Sequence, residues 1–276
     1  MTQPLIHPTS ELTLTHLLRD MPQSLLLTGA VGVGLGTVAD YIAHQVSNEV
    51  ITVLPEKDEK VDIDKGTISV DSIRRLYMQT RTKQTGNRVI VIDYAERMAH
   101  TAQNAFLKLL EEPGEGTYFI LATHTPSKLL PTITSRTQDL ELRLLTRAQT
   151  DTLLDKLHIT DAQKRTQLLF MADGRPAELT RLVSNEEYFE TRSAIVRDAR
   201  DLLQAPTYKK LVVAHKYKDD REGALLLLTD AASILRKSIS AKPQESLIAQ
   251  IDSLLYAHKQ IQANGNIRLC LARLVV

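Results

Sequence analysis

Residues Leu25–Ala39 read LLLTGAVGVGLGTVA. Gly29, Gly32, Gly34 and Gly36 lie between a β-type run and an apolar helical pattern, the layout of a loop that wraps a phosphate. The working form of that loop, G-x-x-x-x-G-K-[ST], puts lysine on the outer phosphates and a hydroxyl on magnesium. Here Leu35 stands at the lysine position and Gly36 at the hydroxyl position, while Thr37 offers its hydroxyl one place late. Main-chain N–H groups can still cradle an anion, but Leu35 supplies no cation to neutralise it. The residues alone fit a chance glycine run, a weakened nucleotide site, or a nucleotide fold kept for another purpose.

Two further stretches carry possible chemistry. RVIVIDYAERM, Arg88–Met98, is an apolar run ending in Asp93. An aspartate at the carboxyl end of a parallel strand commonly supports nucleotide-bound magnesium; a solvated strand-end carboxylate is the plainer reading. Tyr94 occupies the place where a water-orienting glutamate often follows, and Glu96 is expected to face elsewhere. TSR, Thr134–Arg136, comes after Pro131 and a buried run. Its arginine reads as a surface charge, a phosphate binder, or a finger reaching a neighbouring subunit's nucleotide. The histidines His100, His124, His215 and His258 show no metal-ligand spacing, and His44 falls on a helix face.

Positioning these residues requires an alternating α/β order. Strands are expected at 24–28, 50–54, 88–93, 117–122 and 138–142, with helices at 37–46, 70–82 and 101–112. VIVID and YFILA are near-continuous apolar runs, as in a parallel sheet covered on both faces. The charged segment Leu54–Gly66 reads as a solvated excursion, and Asp71 as a cap for the next helix. RTKQTGNR, Arg81–Arg88, reads as a solvated loop or a backbone-phosphate contact. After about residue 145 strand signals stop: three short helices follow, with Thr146 and Thr160 as candidate caps, then longer helices at 187–203, 207–218, 221–238, 244–260 and 266–275. The run GALLLLTDAASIL, Gly223–Leu235, is apolar nearly all round and needs a bundle interior or a partner.

Composition narrows the class. The 276 residues carry a formal charge of +1, which argues against a generally basic body coating nucleic acid. One cysteine, Cys270, excludes an internal disulfide and a multi-cysteine zinc module, and reads as a buried helical residue. With no signal-type N-terminus and no membrane-length apolar run, a cytoplasmic protein is expected.

The stretch VIVIDYAERMAHTAQNAFLKLLEEPGEGTYFILATHTPSKLLPTITSR, Val89–Arg136, resembles clamp-loader subunits of the AAA+ superfamily, most of all the delta-prime family of bacterial DNA polymerase III. It runs through that family's Walker B strand, its A-x-N-A-x-L-K-x-L-E-E-P helix, its first sensor and its L-L-P-T-I-x-S-R-C turn. ISVDSIRRL, GRPAELTRL and NGNIRLCLARLVV are similar to the segment before Walker B, the second sensor and the end of the collar. The resemblance implies an AAA+ P-loop-type parallel-sheet domain at 1–145, a three-helix lid at 146–183 and an α-helical collar and oligomerisation domain at 184–276.

Position by position, Gly29, Gly32 and Gly34 match the nucleotide loop, while Leu35 and Gly36 depart from it and Thr37 sits outside it. Asp93 matches the Walker B aspartate and Tyr94 departs from its glutamate; Thr123 matches the first-sensor neighbourhood and Arg181 approximates the second. Ser135 and Arg136 match the Ser-Arg pair whose arginine acts in trans, with Thr137 in place of the usual cysteine. The family's four-cysteine zinc module is missing, so no zinc and no cofactor are expected. The resemblance thus implies a non-hydrolysing structural and arginine-finger subunit. Its partners would be motor subunits of the gamma/tau type, a delta subunit, a sliding clamp and, through the complex, primed DNA. Arg81, Lys83 and Lys108 are candidate DNA contacts, with a plain solvent-facing helix role as the alternative for Lys108. Rival readings are an active AAA+ ATPase subunit of a loader or related recombination helicase, a stand-alone structural module, and an α/β enzyme binding another phosphorylated ligand. Leu35 weighs against the first.

Overall fold

The computed structural model describes residues 3–80, 86–241 and 245–275. Arg81 and Lys83, two of the candidate phosphate contacts, lie outside the described residues, as does the predicted end of the third helix at Thr82; the third, Arg88, is instead buried at the start of a strand and paired with Glu49 at 2.6 Å. The chain forms two compact units, one holding residues up to 165 together with 172–180, the other 166–171 together with the residues from 181 onward.

The first unit is built on a five-stranded parallel sheet with order β2-β5-β6-β1-β7. Its strands are β1 (Ser24–Gly29), β2 (Glu49–Val53), β5 (Arg88–Ile92), β6 (Thr117–Thr123) and β7 (Gln138–Leu142). The central strands are the apolar runs legible in the sequence, paired so that Leu25 faces Ile120 on one side and Gln138 on the other. Side chains alternate across the pleat. Leu25, Leu27, Val91, Ile120 and Ala122 therefore point to the face covered by α1 (Pro8–Arg19) and α2 (Leu35–Val46). Leu26, Ile90, Ile92, Phe119 and Leu121 point to the face covered by α3 (Val70–Thr80) and α4 (His100–Glu111), where Phe106 meets Phe119 edge-on at 5.3 Å. A sheet apolar on both faces must be sandwiched, which explains the continuous hydrophobic runs.

Several local expectations need correction. Helix α1 had no place in the sequence reading, because its threonines and charges mask an apolar stripe of two buried leucines, Leu14 and Leu17. Ser10 fixes it to the sheet, donating to the Glu141 carbonyl at 2.7 Å and accepting from Arg143 N–H at 3.1 Å. Within the solvated excursion, β3 (Glu56–Lys57) and β4 (Lys60–Val61) form an exposed hairpin. Its turn residues Asp58 and Glu59 both take positive φ, 51° and 61°, the geometry that matches strand twist in a tight hairpin. Helix α3 is capped by Ser69, whose hydroxyl accepts from Ser72 N–H, while Asp71 instead pairs with Arg74. Helix α6 (Arg147–Lys156) starts on a reciprocal Thr146–Gln149 capping box as expected. For α7 (Ala162–Ala172), Asp161 rather than Thr160 caps, accepting from Lys164 N–H.

The second unit is helical: α9 (Glu186–Gln204), α10 (Thr207–Lys216), α11 (Arg221–Ala241), α12 (Glu245–Gln262) and α13 (Ile267–Arg273). The leucine-rich run is the buried spine of α11, with Ala224, Leu227, Leu228, Ala231 and Leu235 packed among α9, α10 and α12 residues. Cys270 is half-buried on α13. Among the described residues no helix is long and apolar enough to cross a membrane.

Candidate functional site

Strand β1 lies between β6 and β7, so the loop that leaves it opens at the carboxyl edge, where the strand order reverses. Such crevices hold ligands in parallel α/β sheets. Gly32 and Gly34 have φ of 85° and 92°, a left-handed backbone that suits glycine. Gly29 is needed for close approach, since a Cβ there would sit 2.9 Å from both the Leu142 carbonyl oxygen and Val33 Cγ1. The glycine pattern thus forms a real strand–loop–helix turn with Gly34 as the helix N-cap.

Its chemistry is altered at each decisive position. Leu35, at the lysine position, is 2% exposed and belongs to the core cluster with Val38 and Ile42. Gly36, at the hydroxyl position, lies against Asp93: a Cβ there would be 2.8 Å from Asp93 Oδ2. The Gly32 carbonyl accepts from the N–H groups of Ala177 and Glu178 at 3.0 and 3.2 Å. These residues open α8 (Pro176–Ser184), so two donors that a helix N-terminus can offer an anion are bound to the loop itself. Thr37 is exposed on α2.

Asp93 is half-buried, and burial pushes its carboxyl above the ordinary range. The Tyr94 N–H, bonded to Oδ1 at 2.9 Å, and nearby His124 pull it partly back, while Glu96 adds to the rise. Glu96, expected to face elsewhere, instead borders the site, together with His124, to which the sequence reading gave no part in it. Glu96 accepts from His124 N–H through Oε1 at 3.3 Å, and His124 Nδ1 lies 2.9 Å from the Gly29 carbonyl oxygen. His124 directly follows Thr123 at the end of β6, and that adjacency was the one available signal. Thr123 is fully buried and its hydroxyl accepts from Thr125 N–H at 3.1 Å, which turns the chain after the strand. Arg181 places its guanidinium 3.9 Å above the Tyr188 ring, within the second unit. The residues that approach Gly32 from the second-sensor segment are Arg175 and Glu178. Among the described residues no group of three or more His, Cys, Asp or Glu side chains could hold a metal ion.

Two outcomes follow from this geometry. Leu35→Lys places an ammonium on a stem that starts inside the apolar cluster, so the variant is expected to lose roughly 2–3 kcal/mol and to gain no magnesium-dependent ATP turnover. Thermal melting and phosphate release on the purified variant check both. For Asp93, a folded-state pKa above the unfolded one means a penalty that is absent at low pH, grows as pH rises between the two values, and is full above the folded one. Asp93→Asn is therefore expected to stabilise the protein at about pH 7 and to have little effect near about pH 3. Urea titrations at the two pH values read this directly.

Arg136 and Ser135 are presented differently. They follow the short helix α5 (Pro131–Thr134), set by Pro131 at its first turn. The segment before it is held from beneath by buried Gln103, whose amide donates to the Lys128 carbonyl at 3.1 Å and accepts from Leu130 N–H at 2.8 Å. Ser135 is exposed, and its hydroxyl bonds the Thr132 carbonyl at 3.3 Å. The Arg136 side chain is 41% exposed, with Nη2 on Glu111 Oε1 at 2.9 Å and Nη1 on the Thr132 carbonyl at 3.1 Å.

A family model described as DNA polymerase III, delta subunit matches residues 40–146. The DNA polymerase III subunit delta' of Bacillus subtilis (strain 168) is 25% identical over 240 residues, covering 76% of this chain and 72% of that one. Its counterpart in Pseudomonas aeruginosa is 35% identical over 153 residues, covering 54% of this chain and 44% of its own length. In fold, the chain is similar to the crystal structure of a DNA polymerase III gamma subunit-related protein from Thermotoga maritima, with a TM-score of 0.55, 19% identity and coverage of 95% and 96%. The chain thus has an AAA+-type sheet with a helical continuation, and in sequence it is similar to DNA polymerase III delta-prime subunits.

Proposed function

We propose that the chain is a non-hydrolysing subunit of a DNA polymerase III clamp loader. On this reading it binds motor subunits of the gamma/tau type and a delta subunit, and serves the ATP-driven placement of a sliding clamp on primed DNA. One contrast carries the reading. The chain's own loop has a buried leucine where a phosphate-neutralising lysine belongs, yet Arg136 is half exposed just past a segment held by the buried Gln103. A triphosphate at the loop would meet no positioned cation at Leu35, and Tyr94 cannot orient a hydrolytic water as a glutamate does. At an adjoining motor subunit, the Arg136 guanidinium would stabilise charge developing on the transferred phosphoryl oxygens. The collar (184–276) assigned by resemblance would supply assembly.

DNA contact on this reading is electrostatic and spread over the complex. Lys108, exposed on α4, is one contributor. The experiment is reconstitution with gamma/tau-type and delta subunits, followed by mass measurement. A stable complex containing the chain is expected. A chain that stays apart from both partners at micromolar concentration contradicts the assignment.

A further inference from the structure

We propose that Glu111 is a positioning residue for Arg136: it holds the guanidinium folded back on its own domain until a neighbour's phosphate displaces it. This rests on the trans role of Arg136 proposed above and adds what governs its availability. The arginine does not extend freely. One edge is bonded to the carbonyl of Thr132, four residues upstream, and Nη2 is paired with the Glu111 carboxylate at 2.9 Å. Glu111 is the last residue of α4, so the carboxylate adds its charge to the negative end of a helix, a local field that favours a docked cation. Glu112, the next residue, has no bond to Arg136, so the pairing is particular to one of two adjacent acids.

Both partners are about half exposed, at 41% and 52%, so the pair is screened by solvent and weak enough to be broken. A terminal phosphate carries more charge than a carboxylate and offers several acceptor oxygens to the same fork of donors. It therefore takes over the guanidinium when it comes within reach, and Glu111 sets how much must be displaced first. Neutralising Glu111 removes the competitor and leaves the finger intact.

The test uses the assembled loader, with phosphate release followed as a function of ATP concentration. Glu111→Gln is expected to raise kcat/KM by about 2- to 5-fold, the range open to an exposed ion pair. Glu111→Asp, which keeps the charge, is expected to stay near wild type, and Glu112→Gln to change nothing. The gain should shrink as salt rises and should vanish in an Arg136→Ala background; a merely structural role of Glu111 would persist there. A Glu111→Gln complex equal to or slower than wild type, while Arg136→Ala is strongly impaired, overturns this inference and leaves the trans reading standing. If Arg136→Ala itself is without effect, both fall together.

Discussion

Replacing Arg136 with alanine in a reconstituted loader is expected to slow turnover at the nucleotide site it completes by about 10³-fold or more, the range seen when an arginine finger is withdrawn. The physical reason is loss of a delocalised cation from a site where negative charge spreads over three phosphoryl oxygens. Assembly should survive, because the side chain is half exposed and its bonds to Glu111 and the Thr132 carbonyl are peripheral. Arg136→Lys should rescue poorly, since an ammonium lacks the planar fork of donors. Single-turnover phosphate release in complexes of verified composition reads the effect. Wild-type rates from an alanine complex would exclude the trans role.

The second large effect lies in the helical unit. Arg192 on α9 is 2% exposed and binds Asp230 on α11 through two bonds, Nη1 to Oδ2 at 2.9 Å and Nη2 to Oδ1 at 3.2 Å. A buried pair of this kind adds little or nothing over a well-packed apolar replacement, but removing one partner takes from the other its paired charge in a site without water. Asp230→Ala is therefore expected to cost about 3–5 kcal/mol. Arg192→Met with Asp230→Leu, which removes both charges while filling the space, should recover most of that loss. Denaturant unfolding monitored by helical signal checks the series. An Asp230→Ala protein as stable as wild type would mean that the pair carries no structural weight.

What could be read from the chain depended on how much signal each residue carries by itself. The strands with unbroken apolar runs, β5 and β6, were visible because burial on both faces leaves no polar alternation to misread. Helix α1 was invisible because its two buried leucines, Leu14 and Leu17, are spaced among threonines and charges, and its anchor to the sheet, Ser10, gives no periodic signal. At the loop, the loss of lysine and hydroxyl was legible from Leu35 and Gly36. Their consequences in space, a leucine sunk in the core and a glycine backed onto Asp93, needed coordinates. Glu96 and His124 are far apart in sequence and meet only because β5 and β6 are neighbours in the sheet. For the same reason nothing in the TSR turn announced Glu111, which reaches Arg136 across 25 residues. Local caps were misread by one or two positions, Ser69 for Asp71 and Asp161 for Thr160, because adjacent polar residues compete for the same role.

On the proposed function labour is divided: this chain hydrolyses no nucleotide and completes the site of another. Phosphate release from three samples tests it most directly: the chain alone, gamma/tau-type motor subunits alone, and the two mixed with delta, clamp and primed DNA. Expected are no magnesium-dependent turnover in the first, a low rate in the second, and a rate in the third that rises with the chain up to a fixed stoichiometry. Turnover by the purified chain, or a mixture whose rate ignores its presence, would contradict it.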